Sequence, residues 1–347
     1  MKLISEPSLT YDDVLLVPQP SSLISRKEAS LATKFCEFTL QVPIINAPMD
    51  SICSKELYNA LIVSGCLPCS NRFCAPAEQA SDIASVTGPG KPVIATVGTN
   101  YTDLEARIDA ILTKVPMQKL WLIDIANGYS KVIEKPIKYL RSIMTDCCII
   151  AGNVCTVEGY AYLAGLGVDA VRCGLGSGAL CSTRIKTGVG MGQFTAIMSI
   201  DKYRMTQGLL SNTPYIIADG GIKTSGDIVK ALAAGADMVM IGRLFAGCTE
   251  CPSSMKVNTP DGPKTIYRGQ ASRAFMDAHN ISKDKAPEGE ATLVACNGSV
   301  KDVISQLAQG IQSGMSYIGA KSIMELREKA VFRTVSPSTY IEGLPKK

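Results

Sequence analysis

Short apolar runs punctuate the chain, and most are followed by a stretch whose apolar positions recur with helical spacing. The runs are Ile44–Asn46, then residues 66–70, 92–97, 120–125, 148–151, 169–173 and 215–218, and finally Met238–Ile241. Helical patterns lie between them, for example over 54–63, 130–143, 157–165 and 225–235. Eight alternating strand and helix units predict an α/β protein built as a closed parallel (β/α)8 TIM barrel, for which ~250 residues is typical. An open doubly wound sheet is the alternative. That fold carries a glycine fingerprint after its first strand, and no G-x-G-x-x-G follows the early strands here.

The segment 10–17 is expected to cap the bottom of the barrel. Residues 252–301 should interrupt it before a last helix near 303–312. No linker and no internal repeat divides the chain. Residues 1–347 therefore read as one catalytic barrel with a flap at about 252–300 and a loose tail at Pro345, Lys346 and Lys347.

Composition narrows the function classes. Apolar residues make up 46% and charged residues 19%, which excludes a disordered chain. The net charge of +4 is spread without long runs, so no nucleic-acid footprint is expected. No apolar stretch reaches transmembrane length, and no membrane association is expected. The start, which meets Glu6 and Pro7 at once, lacks a signal-peptide core and points to a cytoplasmic location. In that compartment the 13 cysteines read as free thiols, most of them buried small hydrophobes. His279 is the only histidine. A Ser-His-Asp triad would have to use it, and a multi-histidine metal site is excluded. In the flap, solvent exposure is the expectation for it rather than catalysis. Trp121, at the start of a strand, is expected in the core.

Catalytic groups of such a barrel gather at the C-terminal ends of its strands, and phosphate binds at the loops after the last two. Those loops read Asp219-Gly220-Gly221-Ile222 and Gly242-Arg243, with a helix starting near Thr224 whose N-terminus would favour an anion. Asp219 is placed to accept from a ribose diol. The sixth strand exits into Gly174-Leu175-Gly176-Ser177-Gly178-Ala179-Leu180-Cys181-Ser182-Thr183-Arg184. Alternate glycines free that loop to turn its carbonyls, and Cys181 beside Arg184 has surroundings that lower a thiol pKa. The C-x-x-C pairs Cys66/Cys69 and Cys248/Cys251 fall on predicted strand or helix residues, so structural burial is favoured over zinc or redox chemistry.

This loop resembles the active-site loop shared by IMP dehydrogenases and GMP reductases. Other blocks resemble that family in the same order: Leu9-Thr10-Tyr11-Asp12-Asp13, Asn46-Ala47-Pro48-Met49-Asp50-Ser51, Ile217-Ala218-Asp219-Gly220-Gly221 and Tyr267-Arg268-Gly269. The regulatory CBS pair that many dehydrogenases insert after strand 2 is absent. Asp124-Ile125-Ala126-Asn127-Gly128-Tyr129-Ser130 is similar to the reductase form of its loop. The stretch from Asp277 to Lys285 lacks the Arg-Tyr pair with which dehydrogenases activate water. Both features point to a divergent GMP reductase. Departures from the family pattern stand at Ser177, Ser182, Gly192, Asn71, Arg72, Arg243, Gln270 and Ala271.

The resemblance implies NADPH-dependent reductive deamination of GMP to IMP and ammonia, with Cys181 as nucleophile and Thr183 and Glu288 handling the proton. It implies that the nucleotide binds at Asp219, Gly220, Gly221, Gly242 and Arg243. The base would lie against Gly269, Gln270, Ala271 and the segment holding Lys285, Ala286, Pro287 and Gly289. The cofactor would meet Arg72, Asp124, Ile125, Ala126, Leu175 and Gly176. Its adenosine end would lie against Ser25, Arg26, Ser313, Gly314, Met315 and Ser316 of a neighbouring copy, because family members are homotetramers. A potassium ion is implied at Gly176, Gly178, Cys181 and Arg184. Two alternatives stay open: an IMP dehydrogenase making XMP with NAD, and a purine-nucleotide-binding protein without turnover.

Overall fold

Seven of the eight apolar runs form strands of one parallel sheet in the computed structural model, which describes residues 3–88, 91–208, 213–281, 284 and 286–344. We label them β1 (Ile44–Asn46), β2 (Ala95–Val97), β3 (Leu120–Asp124), β4 (Cys148–Val154), β5 (Ala170–Cys173), β6 (Tyr215–Asp219) and β7 (Met238–Ile241). Their order is β1-β7-β6-β5-β4-β3-β2. The eighth run, 66–70, closes the ring without forming a full strand. Leu67 pairs with Ile45 on one side and Cys69 with Ile94 on the other. Pro68 lies between them with no N–H to give, and its carbonyl accepts from Ile94 at 2.8 Å. The result is a TIM barrel. Its strands are buried on both faces, and Trp121, Leu122, Ile123, Val171, Ile217 and Val239 are fully inaccessible.

Helices start where the sequence supplies a cap. Ser54, Thr156 and Thr224 each accept a backbone N–H three residues on, launching the helices Lys55–Val63, Val157–Gly165 and Ser225–Ala233. The helix expected near 303–312 runs Val300–Ile318, and it is not the last, because the helices Ile323–Lys329 and Pro337–Glu342 follow it. Gly310 and Gly314 weaken an isolated helix, but here they let it approach its neighbour. A Cβ at Gly314 would stand 2.8 Å from Val229.

Two expectations are corrected. The segment 10–17 does not plug the bottom. It straps the side near the C-terminal ends of the strands, where Lys223 pairs with Asp12 at 2.5 Å and Val14–Leu16 pairs antiparallel with Phe332–Thr334. The opposite end is covered instead by the hairpin Thr33–Phe35/Phe38–Leu40. Phe35 there is fully buried against Tyr215, the first residue of β6, with ring centroids 5.1 Å apart. Nor are all cysteines free, because Cys36 in this hairpin is disulfide-bonded to Cys148, the first residue of β4. The interruption after β7 has structure of its own: an antiparallel sheet of Lys256–Thr259, Gly262–Arg268 and Ala291–Ala295, plus the helix Arg273–Ala278. The tail 345–347 lies outside the described residues. Trp121 is in the core, as its position in the apolar run predicts. No helix among the described residues is long and apolar enough to cross a membrane.

Candidate active site

Cys181 is exposed on the loop leaving β5, and its thiol donates to the Thr183 hydroxyl at 3.1 Å. Thr183 in turn donates to Glu288 Oε2 at 2.9 Å. Three side chains therefore form one donor-to-acceptor path from sulfur to carboxylate. Main-chain bonds hold it. Ser182 N–H reaches the Glu288 carbonyl at 2.8 Å, Glu290 N–H reaches Leu180 at 2.8 Å, and Glu288 N–H reaches Ala271 at 3.0 Å. Gly289 sits where these loops converge, and a Cβ there would stand 3.2 Å from Ser272 N and 3.4 Å from the Leu180 carbonyl.

Arg184 does not serve the thiol. Its guanidinium donates to the carbonyls of Leu175, at 3.2 Å, and Met191. As a donor without a lone pair the guanidinium cannot ligate a metal, which leaves Arg184 only its main-chain carbonyl, the acceptor of the Gly188 amide at 3.1 Å, for the implied potassium site. The Gly178 carbonyl already accepts from the Cys181 amide at 3.0 Å, so a monovalent cation at Gly176, Gly178 and Cys181 would share that oxygen with a protein donor.

On the nucleotide side, Gly220 and Gly221 take left-handed conformations, with φ of 94° and 79°, after the end of β6. Gly221 faces the Tyr11 ring, and Gly242 lies under the Tyr267 hydroxyl, where a Cβ would stand 2.7 Å away. Arg243 is exposed beside it. The helix Ser225–Ala233 is less of an anion site than expected. The Asp227 carboxylate already accepts from the amides of Lys223 and Thr224, at 3.0 and 2.9 Å, and its own charge opposes an anion. Donors left to a phosphate include the glycine amides, the Tyr267 hydroxyl and Arg243.

A row of charges crosses the rim of the barrel. Arg172, buried in β5, donates to Asp124 Oδ1 at 2.5 Å and to Asp219 Oδ2 at 2.9 Å. Arg72 adds a bond to Asp124 Oδ2 at 3.1 Å, and Asn153 one to Asp219 Oδ2 at 2.8 Å. Burial works to raise the Asp124 pKa, but Arg172 and then Arg72 outweigh it and hold the carboxyl below its usual range. Ala126 is exposed next to Asp124, Ile125 is half-buried, and Leu175 and Gly176 are half-buried on the thiol loop. Gly176 leaves no room for a side chain, since a Cβ would lie 2.4 Å from Arg184. A carboxylate with an exposed main chain beside it and a glycine cradle near the thiol suits the nicotinamide end of a dinucleotide.

The described residues that the resemblance implies for the base lie close together, since Ser272 pairs with Gly289 and the Glu288 amide meets the Ala271 carbonyl. Gln270 donates its amide to the Pro48 carbonyl, and Ser272 N–H bonds to Gly269 at 2.9 Å. Ala271 and Pro287 are half-buried and Ala286 is exposed, while Lys285 lies outside the described residues. His279 is only partly exposed, with 26% of its side chain accessible, and it is held by protein partners. Its Nε2 meets Asp50 Oδ2 at 3.1 Å, its ring lies 4.3 Å from that of Phe275, and Asp50 also receives Arg268 Nε at 3.0 Å. The implied adenosine residues meet one another, with Ser25 capping a turn at Arg26 that packs on the helix Val300–Ile318. Ser313, Gly314 and Ser316 are half-buried, but Met315 is fully inaccessible, its side chain in the core, and cannot touch a cofactor. The C-x-x-C thiols are inert. Burial pushes Cys66, Cys69 and Cys251 up to about 12 and also raises Cys248.

Sequence reading missed Arg172, Asn153 and the Asp50–Arg268 pair. A signal existed for Arg172, a charge in the interior of an apolar run whose other charge, Asp169, stands at its start. The model of the family described as IMP dehydrogenase / GMP reductase domain matches residues 8–346. The inosine-5'-monophosphate dehydrogenase of Borreliella burgdorferi is 33% identical, covering 99% of this chain and 97% of that protein. The GMP reductase of Lactobacillus gasseri is 34% identical, covering 93% and 94%. GMP reductase 1 of Mus musculus is 32% identical, covering 96% and 97%.

Proposed function

The chain belongs to the IMP dehydrogenase / GMP reductase family of oxidoreductases, and from that premise we propose that it is a GMP reductase that converts GMP to IMP and ammonia with NADPH. The observation that carries this reading is the path from Cys181 through Thr183 to Glu288. It suits a reaction in which a proton leaves a thiol and must reach a departing amine.

In this reading the Cys181 proton passes through the Thr183 hydroxyl to Glu288 as sulfur adds to C2 of the guanine ring. Glu288 then delivers a proton to the 2-amino group, the C–N bond breaks, and ammonia departs, leaving C2 joined to sulfur. The dinucleotide, when bound, supplies the hydride that C2 accepts. The C–S bond then breaks, IMP leaves with Cys181 as thiolate, and a proton taken up from solvent restores the thiol. Asp219 accepts from the ribose, while Gly221, Gly242 and Arg243 hold the phosphate. Asp124, Ala126 and Gly176 line the nicotinamide side. Ser25, Arg26, Ser313 and Ser316 of a second copy would receive the adenosine end, and the excursion after β7 would act as a flap over the base.

The absence of an Arg-Tyr pair between Asp277 and Lys285 favours ammonia release over water attack. The test is absorbance at the nicotinamide band, comparing GMP plus NADPH with IMP plus NAD. GMP-dependent loss of NADPH with ammonia and IMP appearing is expected. Formation of NADH from IMP would instead make the protein a dehydrogenase. Cys181→Ala should abolish turnover yet still bind purine nucleotide.

A further inference from the structure

We infer that Arg172 is a positioning residue that couples the two ends of the site, holding Asp219 for the nucleotide and Asp124 for the dinucleotide through one guanidinium. The inference rests on the proposed reading for the identity of the two ligands. The geometry stands apart from it.

Arg172 belongs to β5, and its side chain is 10% exposed. Its two partners close the C-terminal ends of different strands, Asp124 on β3 and Asp219 on β6. The bond to Asp124 uses Nη1 and the bond to Asp219 uses Nε, so one planar group fixes both carboxylates in a single orientation. Each carboxylate has a second donor from elsewhere, Arg72 for Asp124 and Asn153 for Asp219. Arg172 is therefore the member common to both halves.

Stability alone does not account for such a group. Barrel interiors are filled by branched apolar side chains, and a buried ion pair is often matched or bettered by apolar residues of the same volume. The row also stands at the rim, where the Cys181 loop leaves β5, and not in the lower layers, where Trp121 and Ile149 pack. A ligand that draws on Asp219 changes what that carboxylate offers Arg172, and the change reaches Asp124 through the same guanidinium. Binding at either end should then favour binding at the other.

The experiment measures, by calorimetry on the full chain, the affinity for GMP and for IMP, and the affinity for NADPH and NADP⁺ with and without saturating nucleotide. For Arg172→Gln we expect both nucleotide and dinucleotide affinity to fall about 10-fold or more. We also expect the enhancement of dinucleotide binding by nucleotide to vanish. Asp124→Asn, which keeps Arg172 and touches only the dinucleotide end, provides the test should the first variant fail to fold. It should weaken GMP binding about 3-fold or more with no dinucleotide present. A merely local or structural role predicts unchanged GMP affinity in Asp124→Asn, and that result overturns the coupling alone. A wild-type protein that binds neither purine nucleotide overturns the coupling and the functional reading together. One that binds both but oxidises IMP overturns only the reductase assignment.

Discussion

Ser182 donates its backbone N–H to the carbonyl of Glu288 at 2.8 Å, joining the loop that carries the thiol to the turn that carries the carboxylate. The side-chain path from Cys181 to Glu288 thus lies on a main-chain clamp.

Gly289→Val tests the clamp. The atoms around Gly289 are backbone atoms of Ser272, Ala271 and Leu180, which cannot turn aside. Overpacking should cost about 1–3 kcal/mol of stability. Turnover should fall further, by roughly 100-fold, because small misplacements of reacting groups are costly. Urea denaturation alongside steady-state kinetics separates the two effects, and a turnover loss no larger than the unfolded fraction would refute the clamp.

Glu288→Gln keeps a hydrogen-bond acceptor for Thr183 but cannot take the proton. The rate should drop by about 10²–10⁴-fold. Alkylation of Cys181 by iodoacetamide should persist, showing that the thiol is still presented. Turnover within 3-fold of wild type would remove Glu288 from the proton path.

Asp124 gives a pH prediction with a definite sign. Its folded pKa is held below the usual carboxylate value by Arg172 and Arg72 despite burial. A depressed folded pKa means stability that is fully present above the unfolded value near ~3.9 and is lost as pH falls through the folded one. Wild type should therefore lead Asp124→Asn in melting temperature at neutral pH, and the lead should shrink below about pH 4. A gap that stays constant from pH 7 to pH 3 would contradict this.

His279→Ala should loosen the excursion after β7. The imidazole joins Arg268 on Asp50 and packs against Phe275, so its loss removes a hydrogen bond worth about 1 kcal/mol and the ring contact with it. Hydrogen exchange across Arg273–Ala278 should accelerate several-fold while the barrel strands stay protected. Unchanged exchange in that helix would mean the Asp50 contact does not hold it.

Much of the site could be read along the chain because its parts are local. The glycine loop before Cys181, the Asp219-Gly220-Gly221 turn and the cap at Thr224 declare themselves within a few residues. What met them could not be read in the same way. Glu288 approaches Thr183 across 105 residues, and Arg172 reaches Asp124 and Asp219 across 48 and 47. The excursion holding Glu288 showed no strand pattern to the sequence reading, although Pro260-Asp261-Gly262 is a turn signal between what proved to be paired strands.

Sequence by itself determined the barrel, its strand order along the chain and the family, because periodicity, capping and turn chemistry act over short spans. Only the tertiary structure decided that the hairpin 33–40 and not 10–17 covers the underside, that Met315 turns inward, that His279 binds Asp50 and that Arg172 joins two carboxylates. Those outcomes depend on how the ring closes and in which register its strands pair, and closure is a property of the whole sheet rather than of any one segment.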